Sequence, residues 1–209
     1  MQILHKKIGI KMMKLLIFVD SHGNKKIMRR LKSLSKKVDL VICAGDFTVM
    51  EKNMNKILKD LNEFYSPVLM VPGNHEDEIE LGKLCEKFEN IIYIHKGAHH
   101  FEDYVFLGYG GGGFSEADPD FKRISENFFK NEIKEKKRSI LVLHGPPHGT
   151  KVDMINNGYA GDKNFRKFID ESQPHLVVCG HLHENVGKKD KIGRTLIINP
   201  GPKGVIVEI

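Results

Sequence analysis

The sequence predicts a fold of class α/β, with two packed sheets and helices outside, on three observations. Five short apolar runs rich in β-branched residues recur along the chain. Segments of helical spacing separate the early runs, and closely spaced strands with turn residues follow late. The runs are Leu15 to Val19, Leu40 to Cys43, Val68 to Val71, Ile140 to Leu143 and Leu176 to Cys179, each continuously hydrophobic, as strands buried on both faces are.

The first strand begins near Lys14, directly after Met12 and Met13, so residues 1–11 read as an upstream extension of the reading frame or as an extra edge strand through Ile8 to Ile10. Beyond Asn24, the positions Ile27, Leu31 and Leu34 recur at helical spacing among Lys and Arg, which predicts an amphipathic helix leading into the second strand. Residues 52–64 and 76–88 continue the helical pattern, and the first half reads βαβαβα. Ile91 to Ile94 and Tyr104 to Leu107 read as short strands. Gly110 to Gly113 form a loop that serves either close backbone approach to a ligand or a tight turn. It is no P-loop, because no Gly-Lys-Ser or Gly-Lys-Thr follows. A helix from about Pro119 to Lys136, an irregular stretch from His144 to Gly161 and a helix around Lys163 to Glu171 come next. Strands at Thr195 to Ile198 and Gly204 to Glu208 close the chain, joined by a turn at Asn199-Pro-Gly-Pro-Lys-Gly. A length of 209 residues suits one domain over residues 1–209.

No apolar stretch has the ~20 residues of a membrane span, and the lysine-bearing N-terminus lacks a signal-like core, which predicts a soluble, cytoplasmic protein without a membrane partner. Cys43, Cys85 and Cys179 have no CxxC spacing and read as reduced core residues, Cys43 pointing into the sheet sandwich. The net charge of +6 would suit a polyanionic partner. The lysines are interspersed with acids, as on solvated faces, and aromatic residues are not interleaved with the basic clusters, so nucleic acid is the less favoured partner.

Each of the five runs ends in metal-binding residue types: Asp20-Ser21-His22-Gly23, Ala44-Gly45-Asp46, Gly73-Asn74-His75-Glu76, His144-Gly145 and Gly180-His181-Leu182-His183. Ligands collect beyond the carboxyl ends of strands in α/β sheets, so convergence of these ends would gather Asp20, His22, Asp46, Asn74, His144, His181 and His183. Asp20 and His22 can bind one ion together, while His181 and His183 can each face one of two neighbouring ions. Two close cations repel, and Asp46 is the natural anionic bridge. Mixed imidazole, carboxylate and amide ligation suits Mn²⁺, Fe, Zn²⁺, Co²⁺ or Ni²⁺ better than Ca²⁺ or Mg²⁺. The neutral amide of Asn74 keeps the ligand charge low, preserving Lewis acidity toward a phosphate.

The ordered set Asp-x-His-Gly, Gly-Asp, Gly-Asn-His-Glu, His-Gly and Gly-His-x-His, over residues 20–183, resembles the calcineurin-like metallophosphoesterases. His144-Gly-Pro-Pro-His-Gly-Thr and Ile198-Asn-Pro-Gly-Pro are similar to the small stand-alone prokaryotic members. The resemblance implies a four-layer α/β/β/α sandwich with two mixed β-sheets. It implies two divalent transition-metal ions, manganese first and nickel, iron, zinc or cobalt as alternatives. By matching position Asp20, His22, Asp46 and His183 would hold one, and Asp46, Asn74, His144 and His181 the other. A metal-bridging hydroxide would attack phosphorus. Protonated His75, oriented by Glu76 or Asp46, would act as general acid, making His75, Asp46 and Asn74 the catalytic set.

Asn74 and His75 are also the expected substrate contacts, with His148, which lies in the loop after His144. Asp153, Tyr159 and Arg166 flank that loop, with nothing in the sequence to aim them. His5, His95, His99, His100 and His175 read as surface or packing residues. The implied activity is phosphodiester or phosphomonoester hydrolysis of a small or nucleotide-like substrate chosen by the loops Gly110 to Phe129 and Pro146 to Gly161. The alternatives are a nuclease, favoured by the basic charge, and a non-catalytic metal-binding scaffold. Family nucleases that process DNA ends carry a capping domain for which the residues after His183 are too few, and scaffolds of this type usually lose the substrate-facing histidine, which is present. Phe114, Phe121, Phe128 and Phe129 would form an apolar patch for self-association or cover the sheet.

Overall fold

The computed structural model describes residues 12–112, 115–135 and 138–209. Strands β1 (Lys14–Phe18), β2 (Leu40–Cys43), β3 (Val68–Met70) and β4 (Ile91–Tyr93) alternate with helices α1 (Lys25–Ser35), α2 (Met54–Asn62) and α3 (Glu78–Cys85). The chain continues through β5 (Gly97–Phe101), β6 (Tyr104–Tyr109), α4 (Pro119–Ile124), a π-turn (Ser125–Phe129), α5 (Lys130–Glu135) and β7 (Arg138–Leu143). A two-stranded ribbon of β8 (Met154–Ile155) and β9 (Gly158–Tyr159) precedes α6 (Lys163–Ser172), and β10 (Leu176–Val178), β11 (Lys189–Ile192), β12 (Thr195–Ile198) and β13 (Val205–Glu208) complete it.

The first sheet has the order β13-β1-β2-β3-β4 and the second β11-β12-β10-β7-β6-β5. β1 to β4 run parallel, with β13 antiparallel at the edge. β12, β10, β7 and β6 run parallel between antiparallel edges β11 and β5. Because successive side chains of a strand point to opposite faces, each sheet buries both. Leu15, Ile17, Ile42 and Leu69 meet Ile140, Val142 and Val178 between the sheets. Leu16, Phe18, Val41 and Met70 meet α1, α2 and α3, and Leu141, Val177 and Ile197 meet Phe121, Phe165 and Ile169 on the other side. The result is the four-layer α/β/β/α sandwich with two mixed sheets.

Several local expectations change. Cys43 faces the helical layer rather than the inter-sheet core, because its strand neighbour Ile42 occupies the inner face. β12 and β13 form no hairpin: they belong to different sheets, and the Asn199-Pro-Gly-Pro segment carries the chain between them, with Val19 N–H donating to Gly201 O. Edge strands β5 and β11 are additions, their polar sequences giving no apolar run. The helix expected from Pro119 to Lys136 is broken by the π-turn at Ser125–Phe129. In an unbroken α-helix Phe128 would line up under Phe121; the wider turn shifts the register by one, so Phe121 and Phe129 are fully buried and Phe128 is 36% exposed. These phenylalanines therefore cover the second sheet, while Phe114, Gly113, His5 and residues 1–11 lie outside the described residues. No helix among the described residues is long and apolar enough to cross a membrane.

Candidate metal centre

The parallel strands of both sheets deliver their loops to one end of the sandwich. Asp20 and His22 follow β1, Asp46 follows β2, Asn74 and His75 follow β3, His144 follows β7, and His181 and His183 follow β10. The first two loops run side by side, Asp20 N–H donating to Gly45 O, His22 N–H to Asp46 O and Gly23 N–H to Phe47 O. Asp20, His22, Asp46 and His181 all have positive φ, at 56°, 44°, 49° and 65°. Non-glycine residues there cost of order 1–3 kcal/mol each and persist only where the surroundings impose them. Two glycines permit the close passage. A Cβ on Gly45 would lie 2.4 Å from Gly73 N, and one on Gly73 would lie 2.0 Å from Asp46 Oδ1.

Glu76 ties these loops together. Its buried carboxylate accepts from Asp46 N–H (2.9 Å), Thr48 N–H (2.9 Å), Thr48 Oγ1–H (2.7 Å) and Gly73 N–H (2.8 Å). Glu76 is thus turned away from His75, contrary to one of the two orienting roles expected; Asp46 is the carboxylate that faces it. The backbone N–H of His75 donates to Asp46 Oδ1 at 3.0 Å, and His75 Nε2 lies 3.8 Å from Asp46 Oδ2. His75 Nδ1 accepts from Met50 N–H at 3.1 Å, so the proton of the neutral ring sits on Nε2.

The side chains meet in overlapping groups. Ligand atoms of Asp20, His22 and His183 lie within 4.8 Å of one another, as do those of Asp46, His144 and His181. A third group of His22, Asp46 and His75 links them, because it shares His22 with the first and Asp46 with the second. His22 Nε2 faces His183 Nε2 at 3.4 Å, and His144 Nε2 is 3.5 Å from Asp46 Oδ2. Asn74 Oδ1 lies 3.0 Å from His144 Nε2 and 2.8 Å from His181 Nδ1. All seven candidate ligands are therefore brought to one cleft.

The donor set fits divalent cations. His22 Nδ1–H donates to Thr48 O and His144 Nδ1–H to Ala44 O, both at 2.9 Å, which turns each Nε2 lone pair into the cleft. Both carboxylate oxygens of Asp20 are buried without a hydrogen-bond partner among the described residues, an unfavourable state that a cation would relieve. Burial raises the Asp20 pKa. Burial also pushes Asp46 up, but hydrogen bonding and charge from His144 outweigh it and hold the carboxyl below its usual range. For His144 burial pushes down, and the Asp46 contact reverses the sign to a net rise. Burial, aided by the charge of His144, lowers His181 to about 4, which leaves that ring neutral near pH 7. The floor of the cleft is closed, with Asp20, Asp46 and His144 buried, and its mouth is open, with Asn74 and His183 exposed.

The rim is organised by a residue the sequence offered no way to aim. Asp153, wholly buried, accepts from Gly149 N–H (3.0 Å), Thr150 N–H (2.7 Å), Thr150 Oγ1–H (3.0 Å) and Gly161 N–H (3.0 Å). Arg166 donates to the carbonyls of His148 and Gly149, and the His148 ring stands edge-on to Tyr159, with centroids 5.6 Å apart. His95 has the expected packing role, and its placement gives that role a purpose. It contacts Glu78 through Nε2 at 2.7 Å, and its Nδ1 accepts from Gly110 N–H at 2.9 Å, while Gly111 N–H donates to Pro72 O. A Cβ on Gly110 would sit 2.1 Å from Pro72 O, so this glycine serves close approach to the Asn74 loop. The signals for Glu76 and Asp153 were weak in sequence because their partners are backbone N–H groups.

A two-sheet sandwich whose strand ends gather aspartates, an asparagine and histidines defines a class, and the family comparison agrees with it. Residues 13–205 match the calcineurin-like phosphoesterase superfamily domain, and the chain belongs to that family, whose members use divalent metal ions. It is 29% identical over 208 residues to the uncharacterized protein MJ1162 of Methanocaldococcus jannaschii, covering 95% of this chain and 92% of the relative. Its fold is similar to that of TT1561 of Thermus thermophilus (TM-score 0.74, 18% identity, 92% of this chain and 91% of that one). It is also similar in fold to a dimetal phosphatase from Danio rerio (TM-score 0.64, 10% identity, 89% and 86%).

Proposed function

We propose that this chain is a metal-dependent phosphoesterase that hydrolyses phosphomonoester or phosphodiester bonds at a dinuclear centre. Asp20, His22, Asp46 and His183 would hold one ion, and Asp46, Asn74, His144 and His181 would hold the other. The observation that carries the reading is the meeting of two ligand groups, Asp20-His22-His183 and Asp46-His144-His181, each within 4.8 Å and linked through the shared group of His22 and Asp46 with His75. Manganese is the ion we put first, and a small or nucleotide-like phosphate ester is the substrate. When bound, a pair of divalent ions supplies Lewis acidity toward the phosphate and an acidified water.

The chain's own contribution is positioning and hydrogen bonding. His75 offers Nε2–H to a phosphoryl or leaving oxygen, where donation to developing charge lowers the barrier. Its Nδ1 is engaged by Met50 N–H, so a second ring proton would displace that bond. His75 therefore acts first as a neutral donor, and delivery of a proton to the leaving oxygen requires release of Met50. Asn74, exposed at the mouth, and His148, on the rim, contact the substrate beyond the phosphate.

The test is hydrolysis of p-nitrophenyl phosphate and bis-p-nitrophenyl phosphate after chelation and reloading with Mn²⁺, Ni²⁺ or Mg²⁺. Metal-dependent release of nitrophenol is expected, and the ratio of the two rates assigns monoesterase or diesterase character. Two ions bound per chain with no release from either ester would favour the non-catalytic scaffold.

A further inference from the structure

Between α1 and α2 a groove of about 320 Å³ opens beside the candidate metal centre. His22 and Gly23 form its inner end, Lys25, Lys52 and Lys56 line its walls, and Met28 and Ile57 lie among its apolar lining. A second cavity follows the same two helices outward, sharing Lys25, Met28, Lys56 and Asp60. Asp60 is the one acid lining the inner groove among the described residues. Lys32, further out, is paired with Glu63, whereas Lys25, Lys52 and Lys56 have no ion-pair partner among the described residues. Lysines of the second half are treated differently: Lys130 is paired with Glu171 and Lys163 with Glu116.

The placement of these lysines raises the positive potential further. Lys25 opens α1 and Lys56 lies in the first turn of α2, and neither first turn carries an acid. A cation at a helix N-terminus adds to the partial positive charge there instead of offsetting it. α2 also lacks a side-chain cap. Three unneutralised ammonium groups around one groove match a phosphate, which carries roughly −1.5 to −2 charge near pH 7, and lysine binds phosphate as a point charge. Met28, Ile57 and the half-exposed Val49 offer apolar surface to a carbon skeleton. Among the described residues no aromatic ring other than the imidazole of His22 lines the inner groove, so the groove offers little of the stacking platform on which single-stranded nucleic acids rely.

We infer that this groove binds a second phosphate of the substrate, so that the substrates are small phosphate esters whose organic part carries a further phosphate group. The inference rests on the phosphoesterase reading, which places the ester to be cleaved at the cleft beside His22.

The experiment compares alkane bisphosphonates with n-alkyl monophosphonates of the same chain length as inhibitors of bis-p-nitrophenyl phosphate hydrolysis by the manganese-loaded protein. A bisphosphonate of fitting length is expected to inhibit at least tenfold more strongly than its monophosphonate. Lys52→Gln combined with Lys56→Gln removes that margin and leaves kcat and KM for bis-p-nitrophenyl phosphate unchanged. In calorimetry of the chelated protein, the same double substitution weakens bisphosphonate binding at least tenfold. Equal inhibition by both series, or a margin that survives the double substitution, overturns the proposal. If nitrophenol release fails with every metal, the phosphoesterase reading falls, and the lysine dependence in calorimetry still decides whether the groove binds phosphonate. A single-stranded oligonucleotide bound through these lysines more tightly than any bisphosphonate overturns the small-substrate class.

Discussion

Glu76 and Asp153 sit on opposite sides of the cleft and accept the same inventory of hydrogen bonds. Each buried carboxylate takes three backbone N–H groups and one threonine hydroxyl, from Asp46, Thr48 and Gly73 in one case and from Gly149, Thr150 and Gly161 in the other. They differ in what the gripped backbone carries. Glu76 joins two loops from neighbouring strands of the first sheet, and those loops hold Asp46 and Asn74. Asp153 closes a single loop of the second half on itself, and that loop holds His148 and Tyr159. The same physical device therefore supports the proposed metal centre on one side and the proposed substrate rim on the other, so loss of one should be read in metal affinity and loss of the other in KM.

Asp46→Asn sets the upper limit for the Glu76 side. The substitution removes the carboxylate charge that the proposed ions would share, and metal affinity should fall by more than the ~100-fold at the top of the range for losing an outer-shell partner. Equilibrium dialysis measures this directly. His75→Ala separates chemistry from loading: ion content is expected to stay at the wild-type level while turnover drops ~100- to 1,000-fold, the cost of one donor to developing charge. The loss should persist with p-nitrophenyl esters, whose leaving group needs no proton, and His75→Gln should restore part of it. A His75→Ala enzyme at full turnover would remove His75 from the reaction.

Glu76→Gln tests the comparison itself. It replaces an acceptor-only group with one that carries its own N–H donors, so metal affinity should weaken ~10- to 100-fold and stability should fall by ~1–3 kcal/mol in denaturant titration. Asp153→Asn should cost a similar ~1–3 kcal/mol, raise KM several-fold and leave ion content unchanged. If the Asp153 variant loses metal as readily as the Glu76 variant, the division between the two sides is wrong. Metal loading also has a thermal readout: a hundredfold excess over Kd adds ~2.7 kcal/mol, which raises Tm by ~5–11 °C for a chain of this size.

What could be read from the sequence follows the same physical divide. Strands buried on both faces are continuous apolar runs, and a polar residue at the end of such a run stands out, so the five strand ends and the side chains gathered there were legible. Edge strands β5 and β11 carry no such run, and the transfer of β13 to the first sheet depends on pairing with β1, far away in sequence. The π-turn at Ser125–Phe129 is a one-residue register change that spacing alone does not reveal. The roles of Glu76 and Asp153 as loop anchors are not legible in sequence, because backbone N–H groups are present at nearly every residue and give a carboxylate no recognisable partner there. Thr48 and Thr150, each beside its carboxylate, became informative only through their hydroxyl contacts.

Whether Asp46 would join two ions in one centre is tested most directly by equilibrium dialysis of the chelated protein against Mn²⁺, with nitrophenyl ester turnover followed in the same samples. Two tightly bound ions per chain, with turnover rising as the second site fills and both lost in Asp46→Asn, is the predicted result. Full turnover with a single ion per chain, or unaltered ion content in Asp46→Asn, would contradict it.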